Sequence, residues 1–148
     1  GYVASAVQKI APHTVGVDSN PHAVSYAHEV YGVDTIRGDL FSAVSGEFDL
    51  ILFNAPYLPT LPEERLDDWL ELALSGGESG REVIERFLPE AVLHLAPEGR
   101  ILLLISSLTG LDAVRGLCRA AGCTAEVADE EREEDGEMLY VLRIQKEE

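Results

Sequence analysis

The stretch Phe48-Asp49-Leu50-Ile51-Leu52-Phe53 is apolar but for Asp49 and stops at Asn54-Ala55-Pro56-Tyr57, and this junction constrains the fold more than any other feature of the chain. A short apolar run closed by a turn signal reads as a strand buried on both faces, the environment of a parallel sheet. The strand is therefore expected to be central. Around it, helical segments alternate with short β-rich runs, which predicts an α/β fold with a doubly wound, mostly parallel sheet covered by helices on both faces.

Residues 2–10 read as a helix and Thr14 to Val17 as a short strand ending in Asp18. Ser19-Asn20-Pro21 then supplies a cap and a first-turn proline for a helix reaching about Tyr31. Asp34 to Arg37 forms a second short strand, followed by the loop Gly38-Asp39-Leu40-Phe41. Beyond Tyr57 come a proline-rich loop, a short acidic helix from Glu63 to Leu74, the turn Ser75-Gly76-Gly77-Glu78-Ser79-Gly80, and a helix of period 3.6 running to Leu95. Pro97-Glu98-Gly99 turns the chain, Ile101 to Ile105 is a buried strand, and Leu111 to Ala121 is a helix closed by Gly122. Thr124 to Ala128 and Met138 to Ile144 read as an antiparallel C-terminal hairpin. The acidic run Asp129 to Glu137 reads as its solvated loop, with a docking patch for a basic partner as the functional alternative.

A doubly wound sheet opens with a strand and a glycine loop, whereas this sequence opens with a helix. The expectation is a single domain over residues 1–148 that lacks its first strand and glycine loop. An unfilled slot of roughly 4.8 Å in mid-sheet would leave backbone groups unpaired.

Among the 148 residues, 27 acidic side chains face 11 basic ones, a formal charge of −16. Non-specific binding to nucleic acid needs clustered Lys and Arg, so this balance argues against it. The longest apolar runs fall well short of the ~20 residues of a membrane span, and the first ten residues do not read as a secretion signal. No membrane association and a cytoplasmic location are the expectations. Cys118 and Cys123 match no zinc-ligand spacing and read as packed thiols, so no metal is expected. His13, His22, His28 and His94 are scattered, without the partners of a catalytic triad.

Asn54-Ala55-Pro56-Tyr57 places an amide and an aromatic ring at the carboxyl end of a buried strand, where open α/β sheets bind ligands. The Asn54 amide oxygen and the Ala55 carbonyl could both accept hydrogen bonds from one planar –NH2 group, with Tyr57 stacked on its face. Ala55 precedes proline and is biased to extended backbone. A plain strand-ending turn is the alternative.

Asn54-Ala55-Pro56-Tyr57 resembles the Asn-Pro-Pro-Tyr signature of S-adenosylmethionine-dependent methyltransferases that modify planar nitrogen, the HemK-type protein glutamine methyltransferases and the amino methyltransferases of adenine and guanine. Val15-Gly16-Val17-Asp18-Ser19-Asn20-Pro21 resembles that family's second strand with its acidic tip, and Gly38-Asp39-Leu40-Phe41 its third motif. Leu74-Ser75-Gly76-Gly77-Glu78-Ser79-Gly80 resembles the Gly-Gly-x-x-Gly element of HemK-like members. The four motifs stand in family order over nearly the whole chain.

The resemblance implies a Rossmann-like class I methyltransferase sheet and S-adenosylmethionine as cofactor. It implies that Asp18 accepts hydrogen bonds from both ribose hydroxyls, with Ser19 beside it. Asp39 would bind the adenine amino group, Leu40 or Phe41 would pack near the ring, and Gly1 would be the last glycine of the cofactor loop. Asn54, Ala55, Pro56 and Tyr57 would hold the acceptor nitrogen, Asn54 also facing the cofactor. Ala55 departs from the family by replacing the first proline, which removes ring rigidity but keeps the carbonyl. The implied reaction is methyl transfer to a planar amide nitrogen, foremost a glutamine side chain of a translation release factor. The single-domain HemK type works with a small zinc-binding activator protein as a heterodimer. Methylation of an exocyclic amine in DNA or RNA is the alternative among enzymes, disfavoured by the charge. A non-catalytic scaffold subunit is the alternative outside them.

Overall fold

The computed structural model describes residues 2–61, 63 and 68–148, which form two compact units, residues 1–45 and 46–148. In the first unit, α1 (Tyr2–Gln8) is followed by β1 (Gly16–Asp18), α2 (Pro21–Tyr31) and β2 (Thr35–Arg37). β1 and β2 pair in parallel, with Asp18 opposite Arg37. α2 packs on both strands. Its start is fixed by Asn20, whose side chain accepts the N–H groups of His22 and Ala23, and by Pro21 at the first helical position. Its end is the left-handed Gly32, φ 62°.

The second unit holds β3 (Phe48–Asn54), α3 (Trp69–Leu74), α4 (Glu82–Leu93), β4 (Leu95–Ser106), a 3-10 turn (Ser107–Thr109), α5 (Leu111–Ala120), β5 (Cys123–Arg132) and β6 (Met138–Lys146). Its sheet runs in the order β3-β4-β6-β5, parallel between β3 and β4 and antiparallel elsewhere. The α/β class, the parallel pairings and the C-terminal antiparallel strands agree with the sequence expectation.

Ile51 and Phe53 pair with Ile101 and Leu103, which puts them on one face of the sheet. There Phe53 stacks on Phe87 of α4, ring centroids 4.2 Å apart. α4 presents Ile84, Phe87, Leu88 and Ala91, all buried, at the i, i+3, i+4, i+7 spacing of one helical face. α5 buries Val114 and Cys118 against the same core. Ile101, Leu103, Ile105, Leu142 and Ile144 complete it with no exposed surface.

Three expectations change. β3 is not central but the end strand of its ladder, and Leu50 and Leu52 remain 38% exposed because the covering helices pack on the face of Ile51 and Phe53. Pro97-Glu98-Gly99 does not end the helix-to-strand connection, because the strand already starts at Leu95. The segment is an irregularity within β4, where pairing jumps from Phe48–Leu95 to Leu50–Arg100. The acidic run is only partly loop. Asp129 to Arg132 continue β5 in register with Val141 to Met138, since their side chains project from an end strand into solvent and need no burial.

Candidate active site at the strand ends

Asn54 is the last residue of β3, paired with Leu104 of β4 and exposed. The next residue, Ala55, is buried at 2% exposure, while Pro56 and Tyr57 are half-buried. All four line a small pocket of about 130 Å³, together with Ala73 and Leu74 of α3 and Leu104. The structure thus gathers the predicted Asn-Ala-Pro-Tyr residues around one hollow at the carboxyl ends of β3 and β4. The three added residues are apolar, and of them Leu74 alone stands in a motif, at the head of the glycine turn. Leu104 was findable as the β4 residue at the same strand edge, and Ala73-Leu74 as the residues entering the glycine turn.

That turn is bound to the chain following Tyr57 by backbone hydrogen bonds. Leu58 donates to the Leu74 carbonyl at 3.0 Å, Gly76 to Leu58 at 2.9 Å and Thr60 to Gly77 at 2.9 Å. Gly76 and Gly80 are required by contact distance. A Cβ on Gly76 would lie 2.5 Å from the Gly80 carbonyl oxygen, and one on Gly80 would lie 2.8 Å from the Tyr57 oxygen. Gly80 also has φ +71°, the left-handed region that side chains disfavour. The glycines let two backbones touch and so form the wall beside Tyr57.

Trp69 is 42% exposed, and Leu70 and Leu72 beside it are more exposed still. α3 has no buried residue, because only Ala73 and Leu74 of this helix reach the pocket lining. Of the acidic helix expected from Glu63, residues 64–67 lie outside the described residues, as does Gly1.

In the first unit, Asp18 and Ser19 are exposed where β1 ends, and Asp39 is exposed just past the end of β2. Asp18 Oδ1 accepts the Asn20 N–H at 2.8 Å, and the Asp18 carbonyl accepts the Gly38 N–H at 3.0 Å. A carboxylate offers about four acceptor positions, so Asp18 keeps capacity for a diol. The Asp39 N–H donates to Ser42 Oγ at 2.9 Å. Leu40, half-buried, has φ 51°, a conformation uncommon for a non-glycine residue, which turns the chain sharply after Asp39. Two exposed carboxylates at the carboxyl edge of one parallel pair form an acceptor set suited to the hydroxyls and amino group of a nucleoside.

No protein-family model matches the chain. A Methanocaldococcus jannaschii protein, provisionally named a protein N5-glutamine methyltransferase, is 39% identical over 129 residues, 84% of this chain and 66% of the relative. The release factor glutamine methyltransferase of Deinococcus radiodurans is 38% identical over 121 residues, 74% of this chain and 42% of that protein. The chain belongs to the HemK-type methyltransferase family. It spans about two fifths to two thirds of the length of these curated relatives. Among solved structures, the E. cuniculi Mtq2-Trm112 complex, responsible for methylation of the eRF1 translation termination factor, aligns with TM-score 0.71 and 26% identity over 95% of this chain and 78% of that one. This family places the chain among the class I methyltransferase folds, in agreement with the sequence expectation. No helix among the described residues is long and apolar enough to cross a membrane.

Proposed function

We propose that this chain is the transfer domain of a protein glutamine N5-methyltransferase, with S-adenosylmethionine as methyl donor and a glutamine side chain of a translation release factor as acceptor. The observation that carries the reading is the pocket at the end of β3, where the exposed Asn54 shares one hollow with Ala55, Pro56 and Tyr57 in a HemK-type chain. Bound S-adenosylmethionine supplies an electrophilic methyl group on its sulfonium.

The acceptor amide needs positioning rather than a strong base. Asn54 Oδ1 and the Ala55 carbonyl accept its two N–H bonds, and Tyr57 covers one face of the group. Holding the nitrogen in one orientation, these groups would supply up to ~7–11 kcal/mol in favourable cases. The same two acceptors would stabilise positive charge developing on nitrogen, and the N–H proton lost as the N–C bond forms passes to solvent, with S-adenosylhomocysteine as the second product. Pro56 fixes the backbone between them. Asp18, with Ser19 beside it, takes the ribose hydroxyls, and Asp39 takes the adenine amino group with Leu40 against the ring.

A small zinc-binding activator protein is the proposed partner. The Mtq2-Trm112 complex supports this, as do the exposed Leu50 and Leu52 of β3. An acceptor that belongs to the translation machinery supports a cytoplasmic site of action.

The test is calorimetric titration of the full-length protein with S-adenosylmethionine and S-adenosylhomocysteine, with and without activator, followed by methylation of a release factor. Micromolar binding, about −8 kcal/mol, is expected. Asn54→Ala should lower turnover by about 10²–10³-fold, the usual loss for one charge-stabilising hydrogen-bond partner. Its cofactor affinity should stay within a few-fold. Unchanged turnover removes Asn54 from the mechanism, and no binding to either ligand favours a scaffold.

A further inference from the structure

We propose that Arg81 is a positioning residue that sets the width of the pocket by tying the loop after β3 to the turn after β4. Its effect on turnover rests on the methyl-transfer reading; its effect on structure does not.

Arg81 directly follows the glycine turn and precedes α4, half-buried. Its N–H donates to Ser79 Oγ at 3.1 Å, which fixes the residue to the turn. Its guanidinium reaches across and donates from Nη1 to the Thr109 carbonyl at 2.8 Å. The receiving end is itself rigid. Ser106 and Thr109 form a reciprocal cap: Ser106 Oγ accepts the Leu108 N–H at 3.0 Å, and Thr109 Oγ1 accepts the Ser106 N–H at 3.3 Å. Both residues are fully buried. Ser106 Oγ also donates to Glu137 Oε1, and Ser107 Oγ accepts the Met138 N–H at 3.1 Å, which anchors the turn to the start of β6.

The linkage is continuous. Leu104 lines the pocket from β4, two residues before the capped turn. Opposite it, Tyr57 is held by the glycine turn through Leu58, Thr60 and the close approach of Gly80. Arg81 joins these two halves through its bond to the Thr109 carbonyl. A charge-assisted hydrogen bond from a half-buried arginine to a backbone carbonyl is stronger than a neutral one. Without it the loop carrying Tyr57 can shift relative to Leu104, and displacements near 1 Å can cost about 10²-fold in rate.

The experiment compares wild type, Arg81→Ala and Arg81→Lys in the full-length protein with its activator. Amide hydrogen exchange at Leu58, Thr60 and Gly76 is expected to accelerate at least tenfold in Arg81→Ala and to return toward wild type in Arg81→Lys, because one N–H donor to one carbonyl is all the geometry uses. Turnover should fall at least tenfold in Arg81→Ala with S-adenosylhomocysteine affinity within twofold, and Lys should restore most of it. Unchanged exchange at those amides overturns the proposal, as does Arg81→Ala turnover within twofold of an active wild type. If Arg81→Ala does not fold, Arg81→Met, which keeps an unbranched arm but carries no N–H donor, replaces it with the same expectations. A wild type that transfers no methyl group overturns the methyl-transfer reading, and the exchange comparison then decides the Arg81 tie alone.

Discussion

Asp18 does two jobs with one carboxylate. Oδ1 already holds the turn into α2 by accepting from Asn20, while the group stays exposed for a ligand. Replacing it with alanine confounds the two. Asp18→Asn keeps an acceptor for the turn and loses the charge and the paired acceptors, so cofactor affinity should drop about tenfold, consistent with the greater strength of charge-assisted hydrogen bonds. Calorimetry giving equal dissociation constants would reject the ribose assignment.

Cys118 makes a separate residue-scale prediction. Burial, with a smaller contribution from Cys123, pushes its thiol up to about 11 from an ordinary 9.0. The folded state therefore holds the proton longer than the unfolded chain. The stability linked to this group is complete below about pH 9 and is lost as pH rises toward 11. Chemical unfolding at a series of alkaline pH values should show that decline, and Cys118→Ser should flatten it. The packed-thiol reading of both cysteines was legible from their spacing, and both are buried and unbridged.

At the scale of elements, the glycine turn is the part whose conformation the sequence names most directly. Gly80→Ala should destabilise the protein by about 1–3 kcal/mol, the cost of a strained backbone plus a steric contact. Gly46→Ala is the control, because its φ is also positive, +87°, but its Cβ would meet open space. Urea midpoints should show the larger loss at Gly80; equal losses would mean that contact with Tyr57 contributes nothing. The bounds of α2 were equally readable: Asn20-Pro21 start it and it ends at Tyr31 as expected, because capping is local chemistry. Strand extents were not. Leu95 belongs to β4 rather than α4, and Asp129 to Arg132 extend β5, because both depend on a partner strand far away in the chain.

For the whole molecule, a charge of −16 on 148 residues means that the folded state works against its own repulsion. Raising salt from roughly 0.01 M to roughly 0.5 M shortens the screening length from about 30 Å to a few Å and should raise Tm. A Tm independent of salt would show that the acidic side chains are too dispersed to repel.

The sequence by itself determined the α/β class, the motif order, the cap positions and the residues Asn54 to Tyr57. Each depends on local propensity, apolar period or chemistry confined to a few neighbours. Tertiary structure alone decided that β3 ends its ladder, that Leu50 and Leu52 stay exposed, and that Arg81 spans from the glycine turn to Thr109. Those relations join residues up to tens of positions apart, and an apolar side chain or a single arginine carries no local mark of the distant backbone it will meet.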